Sequence, residues 1–207
     1  MLDSAFSFIA ILNPFALCLY VGGIIDDVNF RNFTVVLLRA CAISLGAFIA
    51  SALGGEFFLT QMLNIRPEAM RTFGGIIFLI AGYNYVMKGY RAAEMLRGSL
   101  EELPSAIALP FMIGAGSITQ AILVGKQHTM LTTTLILTAG VVFSFLVIIG
   151  FAILREHMKA SREAVFERYV NILARLNGLV IGAISVQMIV NGVHELWLEG
   201  PTTLPAG

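Results

Sequence analysis

The chain has 207 residues, of which 57% are hydrophobic and 13% are charged, and its formal net charge at pH 7 is zero. A mean hydropathy of +0.85 departs strongly from the balance of soluble domains, and the neutral charge excludes the basic surface of a nucleic-acid-binding protein. The composition therefore predicts a membrane protein, and the chain is long enough for about six spans of roughly 20 residues each.

Apolar segments of membrane-spanning length follow one another along the chain. The first has neither a basic leader nor a cleavage pattern of small residues, so we expect a retained span and no signal peptide. The two cysteines, Cys18 and Cys41, fall inside spans, where we expect them to pack in the interior rather than form a disulfide or a metal site. The six predicted spans are Ser4–Ile25, Thr34–Gly54, Met70–Met87, Pro104–Val124, Thr129–Ile153 and Ala174–Leu196.

The first and fourth spans each contain residues that break helices near their centres. These are Asn13-Pro14 in the first span, and Pro110 followed by Gly114-Ala115-Gly116 in the fourth. Proline removes a backbone donor and clashes with the preceding turn. Opened backbone inside a bilayer is tolerated only where protein buries it or where it lines a cavity. Paired breaks in two halves of a chain therefore predict the central binding site of a transporter.

The distribution of lysine and arginine predicts the orientation. Loops rich in these residues stay in the cytoplasm, so both termini should lie outside and the loops after spans 1, 3 and 5 inside. The poor side holds Arg66, Arg71 and Lys126. The rich side holds ten basic residues: Arg31, Arg39, Lys88, Arg91, Arg97, Arg155, Lys159, Arg162, Arg168 and Arg175.

This topology inverts the second three spans relative to the first three, as in a 3+3 inverted repeat. Aligning Arg71 with Arg175 also aligns Gly74 with Gly178, which supports the repeat. The predicted divisions are a first repeat at 1–90, a cytoplasmic linker at 91–103, a second repeat at 104–198 that includes an amphipathic interfacial helix at 155–173, and a C-terminal tail at 199–207.

Stripes of small residues occur at four-residue spacing on two spans. Such stripes let helix backbones approach closely in lipid, and we expect packing within the chain rather than a dimer interface. The stripe on span 2 is Ala42, Gly46, Ala50 and Gly54, and the stripe on span 6 is Ala174, Gly178 and Gly182.

Short motifs occur in a fixed order along nearly the whole chain. They are Leu12-Asn13-Pro14, Arg71-x-x-Gly74-Gly75, Leu109-Pro110 followed by Gly114-x-Gly116-Ser117-Ile118, and Arg175-Leu176-x-Gly178 with Val186-Gln187 and Asn191-Gly192. Together they resemble the MarC family, whose members are six-span inner-membrane proteins of bacteria and archaea. Two positions depart from the family pattern: Ala115 stands where proline is usual, and Phe15-Ala16 where some relatives have a smaller residue or glycine.

The resemblance implies a secondary transporter that works by alternating access. Members of the family with an assigned activity, called SnatA, transport small neutral amino acids such as glycine and alanine. An exporter of amino acids or drugs with the same fold, or a channel built from broken helices, remains an alternative. The sequence contains neither an HExxH nor a GxSxG motif, so we do not expect an enzyme.

The candidate substrate-binding residues lie at the two breaks and on span 6. A half-helix that starts after a break favours the carboxylate of an amino acid, and carbonyl groups freed at the break can accept from its ammonium. Glycines let the ligand approach the backbone, while Ser117 and Thr119 either contact substrate or cap the helix. The predicted set is Asn13, Pro14, Pro110, Gly114, Gly116, Ser117, Thr119 and Gln187, although hydrogen bonding between helices is the favoured role of Gln187.

The acidic residues bear on the coupling ion, because proton-coupled carriers usually keep an ionisable group within the membrane. Asp3, Asp26, Glu56 and Glu195 all fall near predicted interfaces. This pattern favours sodium coupling or uncoupled transport over a proton relay. We expect no resident cofactor and no nucleic-acid partner; the partners are a small-molecule substrate and the lipid bilayer, and the oligomeric state is open.

Overall fold

The computed structural model describes residues 1–27, 29–89, 112–158 and 163–198. Every regular element within these ranges is a helix. The helices are α1 (Leu2–Leu12), α2 (Pro14–Asp27), α3 (Phe30–Phe57), which continues as a π-helical turn at Phe58–Met62, α4 (Pro67–Lys88), α5 (Ala115–Gln127), α6 (Met130–Met158) and α7 (Glu163–Leu198). The predicted linker at 91–103, Pro104, Pro110 and the tail at 199–207 lie outside the described residues.

Four segments of the described residues are long and apolar enough to cross a membrane: Leu2–Leu19, Phe30–Met62, Met130–Arg155 and Arg168–Leu198. They correspond to predicted spans 1, 2, 5 and 6. Predicted span 3 lies in α4, and α5 begins within predicted span 4, of which it holds residues 115–124. The described part of the chain is thus all-helical, with the long apolar segments of a membrane protein. From Glu163 onward, the segment expected to lie along the membrane surface is continuous with span 6 in the single helix α7.

Local sequence signals account for the limits of α4. Pro67 occupies the first turn, where its missing N–H costs no hydrogen bond, and Glu68 complements the positive end of the helix. Lys88 lies in the last turn, and Gly89 ends the helix with a φ of 59°, a conformation that side chains disfavour. The 22 residues of α4 extend about 33 Å at roughly 1.5 Å per residue.

Glycines allow α4 and α7 to pack closely along much of their length. A Cβ atom at Gly82 would come within 2.9 Å of the Gly182 amide nitrogen and 3.0 Å of the Gly178 carbonyl oxygen. Ala174 is fully buried in the same interface region. The prediction that the small-residue stripe of span 6 packs within the chain is therefore confirmed.

The corresponding prediction for the stripe on α3 is wrong. Its four members, Ala42, Gly46, Ala50 and Gly54, are all exposed, and a Cβ atom at Gly46 or Gly54 would have no neighbour within 4 Å among the described residues. The reason is that α3 uses another face, which carries large apolar side chains, to contact α5 and α6. Four-residue spacing identifies a smooth helix face but does not show whether another helix covers it.

The core is divided into two clusters. The larger cluster joins α1, α2, α3, α5 and α6, and includes Phe8 and Phe48, whose rings meet edge to face at a centroid distance of 5.2 Å. Cys18 and Cys41 are buried free thiols in this cluster, as expected. The smaller cluster connects α2 to the α4–α7 pair, and its members are Ala16, Leu19, Tyr85, Val170, Ala174 and Ile181. The α4–α7 pair therefore contacts α2 through this smaller cluster, and α4 also contacts α5 of the larger bundle.

Polar contacts identify the helix ends that share one face of the molecule. Ser4 Oγ lies 2.8 Å from His128 Nε2, Lys126 Nζ lies 2.6 Å from Glu56 Oε1, and Arg71 Nη1 lies 2.9 Å from Glu195 Oε1. We call this end the Glu195 face. The opposite end, where Arg175 Nη1 donates to the Val86 carbonyl at 3.1 Å, is called the Arg175 face.

Candidate functional site

Asn13 both ends α1 and begins α2. Its backbone adopts the left-handed conformation (φ 46°, ψ 70°), which is uncommon for a residue with a side chain. The Asn13 N–H donates to the Ile9 carbonyl at 2.9 Å, while its Oδ1 accepts from the Ala16 N–H at 3.1 Å. Pro14 has no N–H to offer the Ala10 carbonyl. The sequence Asn13-Pro14 therefore separates the two helices and caps the second one.

The ends of two helices with opposite partial charge meet at Asn13. The last carbonyl groups of α1 carry partial negative charge, and the first N–H groups of α2 carry partial positive charge. Such a junction can interact with an ammonium group and with a carboxylate at the same place. An amino acid zwitterion carries both groups.

A cavity of about 220 Å³ lies beside this junction, between α1–α2 and the α4–α7 pair. Most of its wall is apolar and includes Ile11, Ile77, Phe78 and Ile181. The polar residues that line it are Asn13, Asn84 and Tyr85. Most of the cavity residues that α4 contributes lie in the C-terminal half of this helix, which ends at Lys88. The cavity therefore lies nearer the Arg175 face than the Glu195 face.

Asn84 and Tyr85 were not predicted from the sequence as site residues. The Asn84 Nδ2 donates to the Ile80 carbonyl of its own helix at 2.9 Å, which leaves the Oδ1 of Asn84 without a donor among the described residues. An amide within an apolar span is a signal that could have identified Asn84. Tyr85 is 1% exposed and gave no comparable signal, because a buried aromatic residue is ordinary in a helix core.

Capping bonds also organise the start of α5. Ser117 is 2% exposed; its Oγ accepts from the Gly114 N–H at 2.9 Å and donates to the Met112 carbonyl at 2.6 Å. The Oγ1 of Thr119 donates to the Ala115 carbonyl at 2.7 Å. The sequence left two roles open for these hydroxyl groups, substrate contact and helix capping. In this structure both of them bond to backbone groups at the start of α5.

Gly116 lies where three helices converge. A Cβ atom at this position would be 3.0 Å from Met188 Cε and 3.5 Å from Ile11 Cγ2. A Cβ atom at Gly74 of α4 would be 2.7 Å from the Gly116 amide nitrogen. Among the described residues, the start of α5 is therefore closely covered by α4 and α7.

The structure brings only some of the predicted site residues together. Asn13 lines the cavity, Pro14 follows it as the first residue of α2, and Gly116 contacts the cavity residue Ile11. Gln187 is exposed on α7, and its Nε2 donates to Asn191 Oδ1 at 2.7 Å within the same helix. The remaining predicted residues are Gly114, Ser117 and Thr119, which lie at the start of α5 and do not line the cavity, and Pro110, which lies outside the described residues.

Among the residues that the structure describes, no group of three or more histidine, cysteine, aspartate or glutamate side chains could hold a metal ion. Oxygen atoms of the backbone and of amide side chains are the available ligands for a cation near Asn13. Such oxygen ligands suit hard cations.

Comparisons with known proteins cover almost the entire chain. The profile of a family described as MarC family integral membrane protein matches residues 1–197. A UPF0056 membrane protein of Methanocaldococcus jannaschii is 29% identical over 91% of this chain and 93% of its own length. Similar proteins of Aquifex aeolicus (92% of this chain, 90% of the relative) and Pyrococcus horikoshii (96% of each) are both 23% identical and are also described as UPF0056 membrane proteins. No solved structure gives a significant match.

Proposed function

This chain belongs to the MarC family of integral membrane proteins, and we propose that it is a secondary transporter of small neutral amino acids that works by alternating access. The observation that carries the proposal is the cavity beside the helix junction at Asn13. A cavity of about 220 Å³ favours a small solute over a bulky drug.

The chemistry around the cavity favours a zwitterion without a charged side chain. The start of α2 and the Nδ2 of Asn13 are suited to a carboxylate, while the last carbonyls of α1 and the Oδ1 of Asn84 are suited to an ammonium group. No charged side chain lines the cavity, so a net-charged substrate would have no counter-ion there, which is costly inside a membrane. The apolar wall would accept a hydrogen or methyl side chain, as in glycine and alanine.

The packing of the five helices of the larger bundle, α1, α2, α3, α5 and α6, supports a 3+3 inverted repeat. Helices α1 and α2 pack on α6, and α5 packs on α3, which is the same contact with the two halves exchanged. Buried positions also recur when 100 is added to the residue number. Phe33, Ala40, Ser44 and Phe48 of α3 and their counterparts Thr133, Gly140, Ser144 and Ile148 of α6 are all buried.

Contacts between α4 and α7 support the same relationship when 103 is added to the residue number. Gly75 approaches the Ser185 carbonyl, and its counterpart Gly178 approaches the Gly82 carbonyl. Gly192 likewise approaches Thr72, and its counterpart Gly89 approaches Arg175. This register differs by one residue from the alignment of Arg71 with Arg175, because it is set by helix faces that pack and not by residue identity.

We place the protein in the inner membrane of a prokaryotic cell with both termini outside, and the junctions at Asn13 and Gly114 within the bilayer. The excess of lysine and arginine on the Arg175 face supports this orientation. No carboxylate lines the cavity, which supports sodium coupling or uncoupled transport over proton coupling.

Purified protein in proteoliposomes provides the test. Vesicles preloaded with unlabelled glycine or alanine should take up the same labelled amino acid by counterflow, and the initial rate should saturate with external concentration. Uptake with and without an inward sodium gradient separates coupled from uncoupled transport. Flux that rises linearly without counterflow would indicate a channel, and the absence of uptake of any small neutral amino acid would refute the proposed substrate class.

A further inference from the structure

The geometry points to a second binding cavity, closed in this structure, that opens toward the Glu195 face when the cavity at Asn13 closes. It would take the same class of ligand, a small neutral zwitterion. The inference rests on the proposed transport function and on the inverted repeat. Its starting point is that the two halves have matching helix contacts, while the cavity borders the junction at Asn13 and direct helix packing covers the start of α5.

The repeat identifies which residues would line the second cavity. Helices α2 and α5 begin at Pro14 and Ala115, so adding 101 relates Asn13 to Gly114 and Ala16 to Ser117. On the α4–α7 pair, adding 103 to the residue number relates three cavity residues of α4 to three residues of α7. These relations are Phe78 to Ile181, Asn84 to Gln187 and Tyr85 to Met188.

Phe78 and Ile181 hold a special position because they are counterparts that border the same cavity. Two counterparts that lie close together also lie close to the axis that relates the two halves. Both residues would therefore line the second cavity as well. They would form the shared floor between the two cavities, at the point that a substrate passes.

The counterpart region is closed by direct helix contact. Exposure does not distinguish the two halves, since Ser117 and Met188 are 2% and 4% exposed and their counterparts Ala16 and Tyr85 are 7% and 1% exposed; the helix contacts do. The approach of Gly74 to the Gly116 amide nitrogen leaves no space between α4 and α5, and Met188 covers Gly116 from α7. In the other half, where Phe15 and Tyr85 occupy the positions of Gly116 and Met188, the cavity is open.

The α4–α7 pair is built to move as one unit. Glycine contacts join its two helices, Arg71 pairs with Glu195 at one end, and Arg175 bonds the Val86 carbonyl at the other. The pair meets the larger bundle at α2 through the smaller cluster, and at the start of α5 through the contacts of Gly74 and Met188 with Gly116. A tilt of this pair that draws α4 away from Gly116 would uncover Ser117 and bring α4 onto the junction at Asn13.

The chemistry of the second cavity would repeat that of the first. The start of α5 replaces the start of α2 as the site for a carboxylate, and a Cβ atom at Gly114 would meet nothing within 4 Å among the described residues. The Gln187 amide replaces the Asn84 amide. In this structure that amide is bonded to Asn191, which is one turn away on the same helix.

Two matched cysteine probes test the inference in a variant whose Cys18 and Cys41 are replaced by alanine and whose uptake is first verified. Ala16→Cys probes the open cavity, and Ser117→Cys probes its counterpart. Ala16 is largely buried but lines the cavity, so a charged methanethiosulfonate applied to the detergent-purified protein should modify A16C faster than S117C. The fraction of cysteine modified at fixed times is measured by mass spectrometry.

A minimal wedge between α4 and α5 should reverse this pattern. Gly74→Ala introduces a methyl group where a Cβ atom would be 2.7 Å from the Gly116 nitrogen. We expect the rate of S117C modification to rise roughly tenfold and that of A16C to fall, which corresponds to a shift of about 1.4 kcal/mol between the two states. Gly46→Ala is the control, because its Cβ atom would have no neighbour within 4 Å and it should change neither rate.

Gly74→Val provides a larger wedge if the methyl group is accommodated locally. Monodisperse Gly74→Ala and Gly74→Val proteins that both leave S117C protected would overturn the inference. If neither variant is monodisperse, the test uses the A16C and S117C proteins that keep Gly74. Saturating glycine should then change the modification rates of the two cysteines in opposite directions. Rates that do not respond would equally overturn it.

The result also separates this inference from the proposed function. If the modification rates of A16C and S117C change in opposite directions in a protein that transports no small neutral amino acid, the two cavities are supported and the proposed substrate class is rejected. Normal counterflow of glycine in a protein whose S117C never becomes accessible would retain the transport function and reject the second cavity.

Discussion

Gly74 of α4 lies against Gly116 at the start of α5, so close that a Cβ atom on Gly74 would come within 2.7 Å of the Gly116 amide nitrogen. The two glycines belong to different halves of the chain and let two helix backbones approach without intervening side chains. The same helix α4 stands away from the junction at Asn13, where the cavity lies. In this structure α4 therefore covers the start of α5 and leaves the junction at Asn13 beside a cavity.

Two substitutions at Asn13 should separate its structural role from its binding role. Asn13→Ala removes the cap on the Ala16 N–H and places a Cβ-bearing residue without a helpful polar group in the left-handed region, so it should lower the free energy of unfolding by about 1–3 kcal/mol. Asn13→Gly tolerates this backbone conformation and should cost only a few tenths of a kcal/mol. Thermal unfolding in detergent measures both effects.

The Asn13→Gly protein is then the proper variant for transport measurements. Loss of the amide should raise the half-saturation concentration for glycine roughly tenfold or more, since a hydrogen bond to a charged group contributes about 1.5–3 kcal/mol. An unchanged half-saturation concentration would limit Asn13 to shaping the helix junction.

Asn84→Ala should weaken substrate binding without unfolding the protein. Its amide lines the cavity, and its only hydrogen bond among the described residues goes to the Ile80 carbonyl of the same helix. We expect a rise of about 10- to 150-fold in the half-saturation concentration, on the same energetic grounds. Asn32→Ala, which alters an exposed amide on α3, should leave uptake unchanged. Equal effects of the two substitutions would exclude a specific role for Asn84.

Gly82→Val should destabilise the α4–α7 pair. A Cβ atom at Gly82 would lie 2.9 Å from the Gly182 nitrogen, and overpacking of this kind costs about 1–3 kcal/mol. Gly54→Val is the matched control on the exposed stripe of α3 and should have little effect on the unfolding temperature in detergent. Equal destabilisation by both would show that the loss of glycine itself, and not the contact, is responsible.

Glu195→Gln should have only a small effect. The side chains of Arg71 and Glu195 are 20% and 41% exposed, and partly exposed ion pairs contribute at most about 1 kcal/mol. The unfolding temperature should fall slightly at low salt, and less at high salt because of screening. Substrate affinity should not change, since neither residue lines the cavity.

The orientation can be tested with a reporter that is active only in the cytoplasm. Fused after Gly207, it should remain inactive, because lysine and arginine concentrate in the sequence on the side of the loops after predicted spans 1, 3 and 5, which we propose to be cytoplasmic. A reporter inserted near Arg97 should be active. The opposite result would reverse the orientation, and the cavity at Asn13 would then lie nearer the outer face.

Sequence reasoning reached the fold class and the family because both depend on patterns that persist along the chain. Hydropathy shows where spans can lie, and the ordered motifs identify the family. Tertiary features were harder to predict. The roles of Ser117 and Thr119 depended on which backbone groups come within reach, and the small-residue stripe of α3 has no packing partner among the described residues. Asn84 and Tyr85 became candidates only when α4 was placed beside Asn13.

The first residues of α2 and α5 differ in a way that would make the two states of the proposed carrier bind substrate with unequal affinity. Pro14 has no N–H, whereas Ala115 keeps one, so the start of α5 can offer an anion one more donor. Substrate held at α5 would then be bound more tightly than substrate held at α2. A carrier without a coupling ion must still bring both compartments to equal concentration at equilibrium. Unequal affinities must therefore be balanced by unequal populations of the two empty states, and half-saturation concentrations measured from opposite faces should differ.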